Sequence, residues 1–270
     1  MVSACFPRFK FHVEHRPYFR EATSILTGPP RGRDNDDIPN YAFNMINLFL
    51  DIESPGGVGW NLIRPNPTLC CFAADINKKG HTVALLQDGS RPETSNAFLG
   101  SWPRNAEHEQ RSDPKKLFSF DTPFDICDAW MEDRQVRISH ELNIAICFFK
   151  TATEAEVIGM KLSSNFDRAS ILFRLPRKDL DMPWGLPRGE LLAVSSLHFA
   201  LAKQAQVDLG VLDVDILDVR NGTILKTIQT PKCPSCPRDY HDEMALCMSM
   251  SEKSLLINWR EHPTLLLRFS

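Results

Sequence analysis

No run of apolar residues in this 270-residue chain approaches the ~20 that a membrane helix requires. The first residues, Met1 to Arg20, mix Arg, Lys, His and Glu with Phe and lack the continuous apolar segment of a secretory signal. These two absences lead to the expectation of an intracellular protein, cytoplasmic or nuclear, with no membrane partner. Charge of one sign is scarce too: 31 Lys and Arg stand against 34 Asp and Glu, a formal net charge of −3. A balance of that kind gives no general attraction to nucleic acid.

Several catalytic signatures are also absent. Gly28-Pro29-Pro30-Arg31-Gly32-Arg33 has glycines but no Gly-Lys-Ser/Thr ending, and prolines stand where a phosphate loop needs backbone N–H groups. No Gly-x-Ser-x-Gly elbow occurs. No Rossmann glycine fingerprint follows a strand-like run. These absences exclude the commonest nucleotide-binding and serine-hydrolase designs and favour a binding role.

What is present is a globular composition, with 43% hydrophobic residues, long enough to bury a core. A single domain spanning 1–270 is expected. Eight cysteines occur, several inside apolar runs such as Leu69-Cys70-Cys71-Phe72 and Ile146-Cys147-Phe148. Cysteine there behaves as a small buried hydrophobe, so reduced thiols are expected. Four polar or Pro/Gly-rich stretches read as exposed loops, near residues 28–40, 104–116, 176–189 and 231–242.

Between them lie short apolar, β-branched runs bounded by turn signals, which read as strands. Two segments are ambiguous. Met45–Ile52 has a helical face through Ala42, Met45, Ile46 and Phe49. Glu190–Gln204 is either one amphipathic helix or two short strands with a turn near Ser195–Ser196. Asn221-Gly222 between two β runs is a hairpin signal, because Asn-Gly tolerates the positive φ of a type I′ turn. Units starting near Leu69, Phe124, Leu191 and Ala245 recur about every 55–65 residues, with room for four strands each. That spacing suggests stacked blades.

Ile216-Leu217-Asp218-Val219-Arg220-Asn221-Gly222, followed by Thr223–Ile228, resembles the third and fourth strands of a WD40-like β-propeller blade. The family usually has Trp-Asp where this chain has Leu217-Asp218. The stretch from Asp36-Asp37-Ile38-Pro39 to Asp51-Ile52-Glu53-Ser54-Pro55-Gly56-Gly57 looks similar to the propeller-like regions of some F-box proteins. The resemblance implies a mainly β fold: an irregular or partial propeller of four-stranded antiparallel blades, four to five units. It also implies a non-catalytic protein–protein interaction scaffold, in the F-box case a substrate-recruiting adaptor in ubiquitin ligation. Closure of such a ring would take an N-terminal strand such as Phe9–Val13.

The partner-binding expectation falls on Trp184 and Arg188 in one Pro/Gly loop and on Trp102 and Arg104 in another, because aromatics and Arg dominate binding anchors. A metal alternative falls on Cys233, Cys236, His241 and Cys247. A C-x2-C knuckle supplies two zinc ligands from a tight turn, and the other two residues complete a tetrahedron. A third alternative is a hydrolase-type enzyme using Asp213 and Asp215, which share one face of a strand-like run. Each has a plain structural counterpart: an aromatic plug against a sheet, free thiols in a loop, and turn-stabilising carboxylates.

Overall fold

A computed structural model describes residues 22–27, 44–50, 58–63, 69–77, 81–88, 96–103, 109–110, 113–120, 134–139, 141–150, 155–176, 191–206, 211–230, 246–259 and 264–269. Every regular element among them is a strand. In chain order they begin with β1 (Ala22–Thr27), β2 (Asn44–Leu50) and β3 (Val58–Ile63) of a first sheet. A second sheet follows with β4 (Leu69–Ile76), β5 (Thr82–Asp88) and β6 (Phe98–Trp102). The short β7 (Glu109–Gln110) returns to the first sheet and β8 (Lys115–Ser119) completes the second. The third sheet holds β9 (Arg134–Ser139), β10 (Ile144–Lys150), β11 (Ala155–Leu162) and β12 (Ala169–Pro176). The fourth holds β13 (Leu192–Val194), β14 (His198–Gln206), β15 (Val211–Asp218) and β16 (Ile224–Gln229). The fifth has three strands among the described residues: β17 (Leu246–Met250), β18 (Ser254–Trp259) and β19 (Leu265–Arg268).

This is an all-β, propeller-type arrangement. The strands of each sheet lie side by side in chain order, apart from the insertion of β7. The first strands of successive sheets pack on one another: β1 on β4, β4 on β9, β9 on β13, and β13 on β17. All strand pairs are antiparallel except β3 with β7, which run parallel through Leu62 with Glu109 and Ile63 with Gln110.

The core lies in the seams between sheets. Side chains on a strand point alternately to its two faces, so each middle sheet is apolar on both. One cluster joins the second and third sheets through Val83, Leu85, Leu99, Ile138, Cys147 and Ile158. Another runs from Ile146, Phe148 and Val157 of the third sheet through the fourth to Met248, Leu255 and Ile257 of the fifth. A third, on the opposite face of the second sheet, gathers Ala74, Ala84, Leu86 and Trp102.

Polar side chains link the innermost strands. Ile138 N–H donates to Asp75 Oδ2 at 2.9 Å, so a carboxylate of β4 satisfies a backbone group of β9. Leu192 N–H donates to Gln135 Oε1 at 2.9 Å, and so β9 does the same for β13. Both acceptors are buried, Asp75 at 1% and Gln135 at 5% exposure. Buried backbone donors must find partners, and here the next sheet supplies them.

Both ambiguous segments are strands: residues 44–50 form β2, and the second segment forms β13 and β14 with a turn at 195–197. Three expected unit starts fall within one residue of an innermost strand, at Leu69, Leu192 and Leu246. The start near Phe124 does not; β9 opens at Arg134, and residues 121–133 lie outside the described set. The loop expected over 104–116 contains β7 and the start of β8. Lys115 and Lys116 read as loop residues, but they open the strand that carries the buried Leu117, and both are exposed. The loops at 28–40 and 231–242 and the closing segment Phe9–Val13 lie outside the described residues.

The Asn221-Gly222 hairpin is present, with a different turn. Gly222 has φ of 70°, whereas Asn221 is not among the positive-φ residues, so the turn is not type I′. The Asp218 carboxylate takes the Arg220 N–H at 2.8 Å, and Gly222 N–H bonds to the Asp218 carbonyl at 2.9 Å. That side-chain capture holds the loop in a longer form.

Candidate functional site

The residues expected to bind a partner divide. Trp184, Arg188 and Arg104 lie outside the described residues. Trp102 is described, and it corrects the expectation: it ends β6 opposite Thr82 and is 0% exposed. A Trp beside Gly100 and Pro103 reads as a loop residue, but the strand continues through it and turns the ring into the seam. In this structure it has no surface to offer another molecule.

Of the four expected zinc ligands, Cys233, Cys236 and His241 lie outside the described residues, and Cys247 is placed in β17 opposite Asn258. No group of three His, Cys, Asp or Glu that could hold a metal ion occurs among the described residues. The Cys71 thiol donates to the Ala73 carbonyl at 3.7 Å, and Cys147 is a buried thiol outside any disulfide. Burial pushes the Cys147 thiol up to about 12, which leaves it an inert apolar filler.

Asp213 and Asp215 are brought together on one face of β15, as the sequence pattern requires. The register fixes which face. Phe199 of β14 is stacked on Phe173 of the third sheet, with ring centroids 6.1 Å apart. Phe199 pairs with Leu217, Leu201 with Asp215, and Lys203 with Asp213. Positions two apart share a face. Both carboxylates therefore sit on the face of the fourth sheet that meets the third.

Their surroundings differ. Asp215 is 0% exposed, and its Oδ1 accepts a hydrogen bond from Thr227 Oγ1 at 2.7 Å. Asp213 is half-buried and accepts from Gln229 Nε2 at 3.2 Å. Thr227 and Gln229 stand directly opposite the two aspartates on β16, and both are exposed. The sequence pattern missed these two donors. They lie 12 and 16 residues away from their acceptors, and a register shift between Ile216 and Leu217 decides the pairing.

One end of this face is closed. A Cβ on Gly222 would lie 2.7 Å from the Phe173 ring and 2.9 Å from Leu175. A side chain there has no room, and φ of 70° is strained for anything but glycine. The Asp218 carboxylate fastens this turn with Arg220, through Nε at 3.0 Å and Nη2 at 2.6 Å. The hydrogen bonds from Arg220 hold the Asp218 carboxyl below the usual carboxylate range. From the turn toward the far end of β15, the face carries the fully buried Asp215 and then the half-buried Asp213.

No family model matches the chain, and no curated protein is similar to it. Solved structures are similar in outline. One is an alpha-L-arabinofuranosidase from Clostridium thermocellum, 10% identical, covering 88% of this chain and 78% of that one, with a TM-score of 0.42. A second is a subtype N11 neuraminidase-like protein of A/flat-faced bat/Peru (H18N11), 9% identical, covering 83% and 76%, with a TM-score of 0.39. A third is a protein from Lactobacillus plantarum, 12% identical, covering 92% and 79%, with a TM-score of 0.36. Likenesses this loose speak to the outline of the fold and carry no activity over to this chain. Nothing in them points to a WD40 repeat or F-box protein.

They do correct one expectation. The non-catalytic scaffold reading treated a propeller outline without a familiar motif as evidence against catalysis. Two of these propeller-type structures bear the names of an arabinofuranosidase and a neuraminidase-like protein. The outline therefore gives no ground for excluding an enzyme, and the scaffold conclusion falls with that step.

Proposed function

We propose that the chain is a hydrolase-type enzyme in which Asp213 and Asp215 share acid–base work. One observation carries the reading: two carboxylates lie on the same face of β15 in unlike surroundings, one sealed and one half-open. One residue, Val214, lies between them, so their Cα atoms stand about 6.8 Å apart at the usual rise. Unlike environments are what let two such groups take opposite roles. Asp213, being half-open, is the group a substrate can reach.

The test is turnover by the purified full chain. A panel of chromogenic esters, phosphate esters and glycosides is assayed with wild type, Asp213→Asn and Asp215→Asn. Wild type is expected to hydrolyse one class. Each variant is expected to lower kcat/KM by about 100-fold or more, the usual worth of a positioned acid or base. A wild-type protein that turns over no member of the panel, or Asn variants as active as wild type, would overturn the reading.

A further inference from the structure

A strand at the edge of a sheet presents unpaired N–H and C=O groups, and proteins blunt such edges with shortness, charge, proline or bulges. At the edge away from its first strand, each of four sheets follows that habit. β7 is two residues long. β8, β12 and β16 each carry a register shift against the neighbouring strand. β8 opens on Lys115 and Lys116, β12 holds Arg174 and ends at Pro176, and β16 holds Lys226. β19, the far edge of the fifth sheet among the described residues, differs. It pairs with β18 in one unbroken register and reads Leu-Leu-Leu-Arg.

The ladder fixes which of its groups point outward. Phe269 N–H donates to the Lys253 carbonyl at 2.8 Å, in the same register as the β18–β19 pairs. In an antiparallel pair, hydrogen-bonded and non-hydrogen-bonded positions alternate. Leu265 and Leu267 therefore bond to β18, whereas Leu266 and Arg268 turn their backbone groups away from it. Side chains alternate as well. Leu265, Leu267 and Phe269 pack against the core, while Leu266, 44% exposed, and Arg268 lie exposed on the other face.

We propose that β19 is a docking strand for a second copy of this chain, paired antiparallel with its own counterpart about a twofold axis at Leu266. A twofold contact brings the same patch of both copies together, so the strand must be complementary to itself. Centred on Leu266, it is. Leu266 faces its own copy, and the two exchange a pair of backbone hydrogen bonds. Leu265 falls opposite Leu267, so the apolar side of the sheet continues from one copy into the other. Arg268 falls opposite Thr264, so the strand's one charge does not meet its like, which directly opposite would be destabilising. Five residues a side is a small contact beside the roughly 800 Å² per partner of a standard interface, so a weak dimer is expected, with Kd on the order of 10–100 μM.

The experiment uses the full chain. Sedimentation velocity is measured at concentrations on both sides of that Kd. Wild type is expected to pass from monomer to dimer, and hydrogen exchange at the Leu266 and Arg268 amides is expected to be slower in the dimer than in the monomer. Leu266→Lys and Leu266→Glu change an exposed side chain. Each alone is expected to weaken association about 10-fold or more, because like charges then meet across the axis. Mixed one to one, Lys meets Glu, and the dimer is expected to return. Circular dichroism checks that both variants are folded, and the wild-type measurements stand whether they fold or not. A wild type that stays monomeric, variants that dimerise as well as wild type, or mixed variants that remain monomers would each overturn the proposal. So would Leu266 and Arg268 amides already protected in the monomer, because the edge would then be covered within one chain.

Discussion

Between the second and third sheets, packing runs from the strands to the turn after β11. Val83, Leu85, Ile138, Cys147 and Ile158 fill the inner part. The turn after β11 covers the rest: Phe166 stacks on His81 with ring centroids 4.5 Å apart, and Ser101 Oγ donates to the Phe166 carbonyl at 2.9 Å. Between the third and fourth sheets the inner half is just as apolar, with Ile146, Phe148, Val157 and Phe199 all at 0% exposure. There Phe173 and Leu175 lie close against Gly222. Beyond them the fourth sheet carries Asp213, Asp215, Thr227 and Gln229, with Thr227 donating to Asp215 and Gln229 to Asp213. Both seams carry polar groups: the first holds the Asp75 and Ser101 hydrogen bonds and the Lys115–Asp167 ion pair at 3.8 Å, and the second holds the Asp213 and Asp215 face. Polar groups are costly to bury without a partner, and the fully buried Asp215 accepts a hydrogen bond from Thr227 Oγ1.

The largest test of that contrast uses two neighbours on one strand. Phe148 and Phe149 of β10 point to opposite faces, Phe148 into the seam with the fourth sheet and Phe149 into the seam with the second. Both are buried, and Phe149 meets Phe120 edge-on at 5.5 Å. Replacing either by Ala is expected to cost about 3–5 kcal/mol in denaturant unfolding. Similar losses would mean that the two seams differ only at their outer ends. A Phe148→Ala loss below about 1 kcal/mol would mean that the third and fourth sheets are held together weakly throughout.

A smaller effect separates the polar links of the same two seams. Asp75→Ala leaves the Ile138 N–H without its acceptor, and Gln135→Ala does the same to Leu192. Each is expected to cost about 1–3 kcal/mol, because a buried donor is stranded. Asp75→Ala should be the larger, since hydrogen bonds to charged acceptors are roughly twice as strong as neutral ones. Hydrogen exchange at the Ile138 and Leu192 amides reads the two links separately. Unchanged protection at either amide would show that the link there contributes little.

Much of this architecture is legible in the residues. The Gly222 hairpin, the repeat of unit starts and the shared face of Asp213 and Asp215 all follow from short-range pattern. What pattern does not carry is register across a bulge. The shift between Ile216 and Leu217 sets Thr227 opposite Asp215, and nothing local to either residue announces it. Trp102 shows the converse error. Its neighbours Gly100 and Pro103 suggest a loop, yet Gly100 is there for space, since a Cβ would lie 2.7 Å from Leu86 and 2.9 Å from Pro114. A glycine required by close packing and a glycine required by a turn look the same in one dimension.

The smallest predicted effect concerns the clasp at the Gly222 turn, between the third and fourth sheets. Asp218 is held by Arg220, whose hydrogen bonds lower its pKa in the folded protein. A lowered folded-state pKa means that the ionised carboxylate is favoured by folding. The stability this contributes is present above the unfolded value, about 3.9 for Asp, and is lost as pH falls through the folded one. Asp218→Asn removes that dependence. Wild type should therefore melt higher than the variant at neutral pH, and the gap should narrow as pH falls below about 4. Because Gly222 leans on Phe173 and Leu175, loosening the clasp should also raise exchange at the Gly222 amide, which bonds to the Asp218 carbonyl. A gap that stays constant from neutral to acid pH would mean that Asp218 shapes the turn through its backbone contacts alone. The Gly222 turn would then be held against the third sheet by packing rather than by charge.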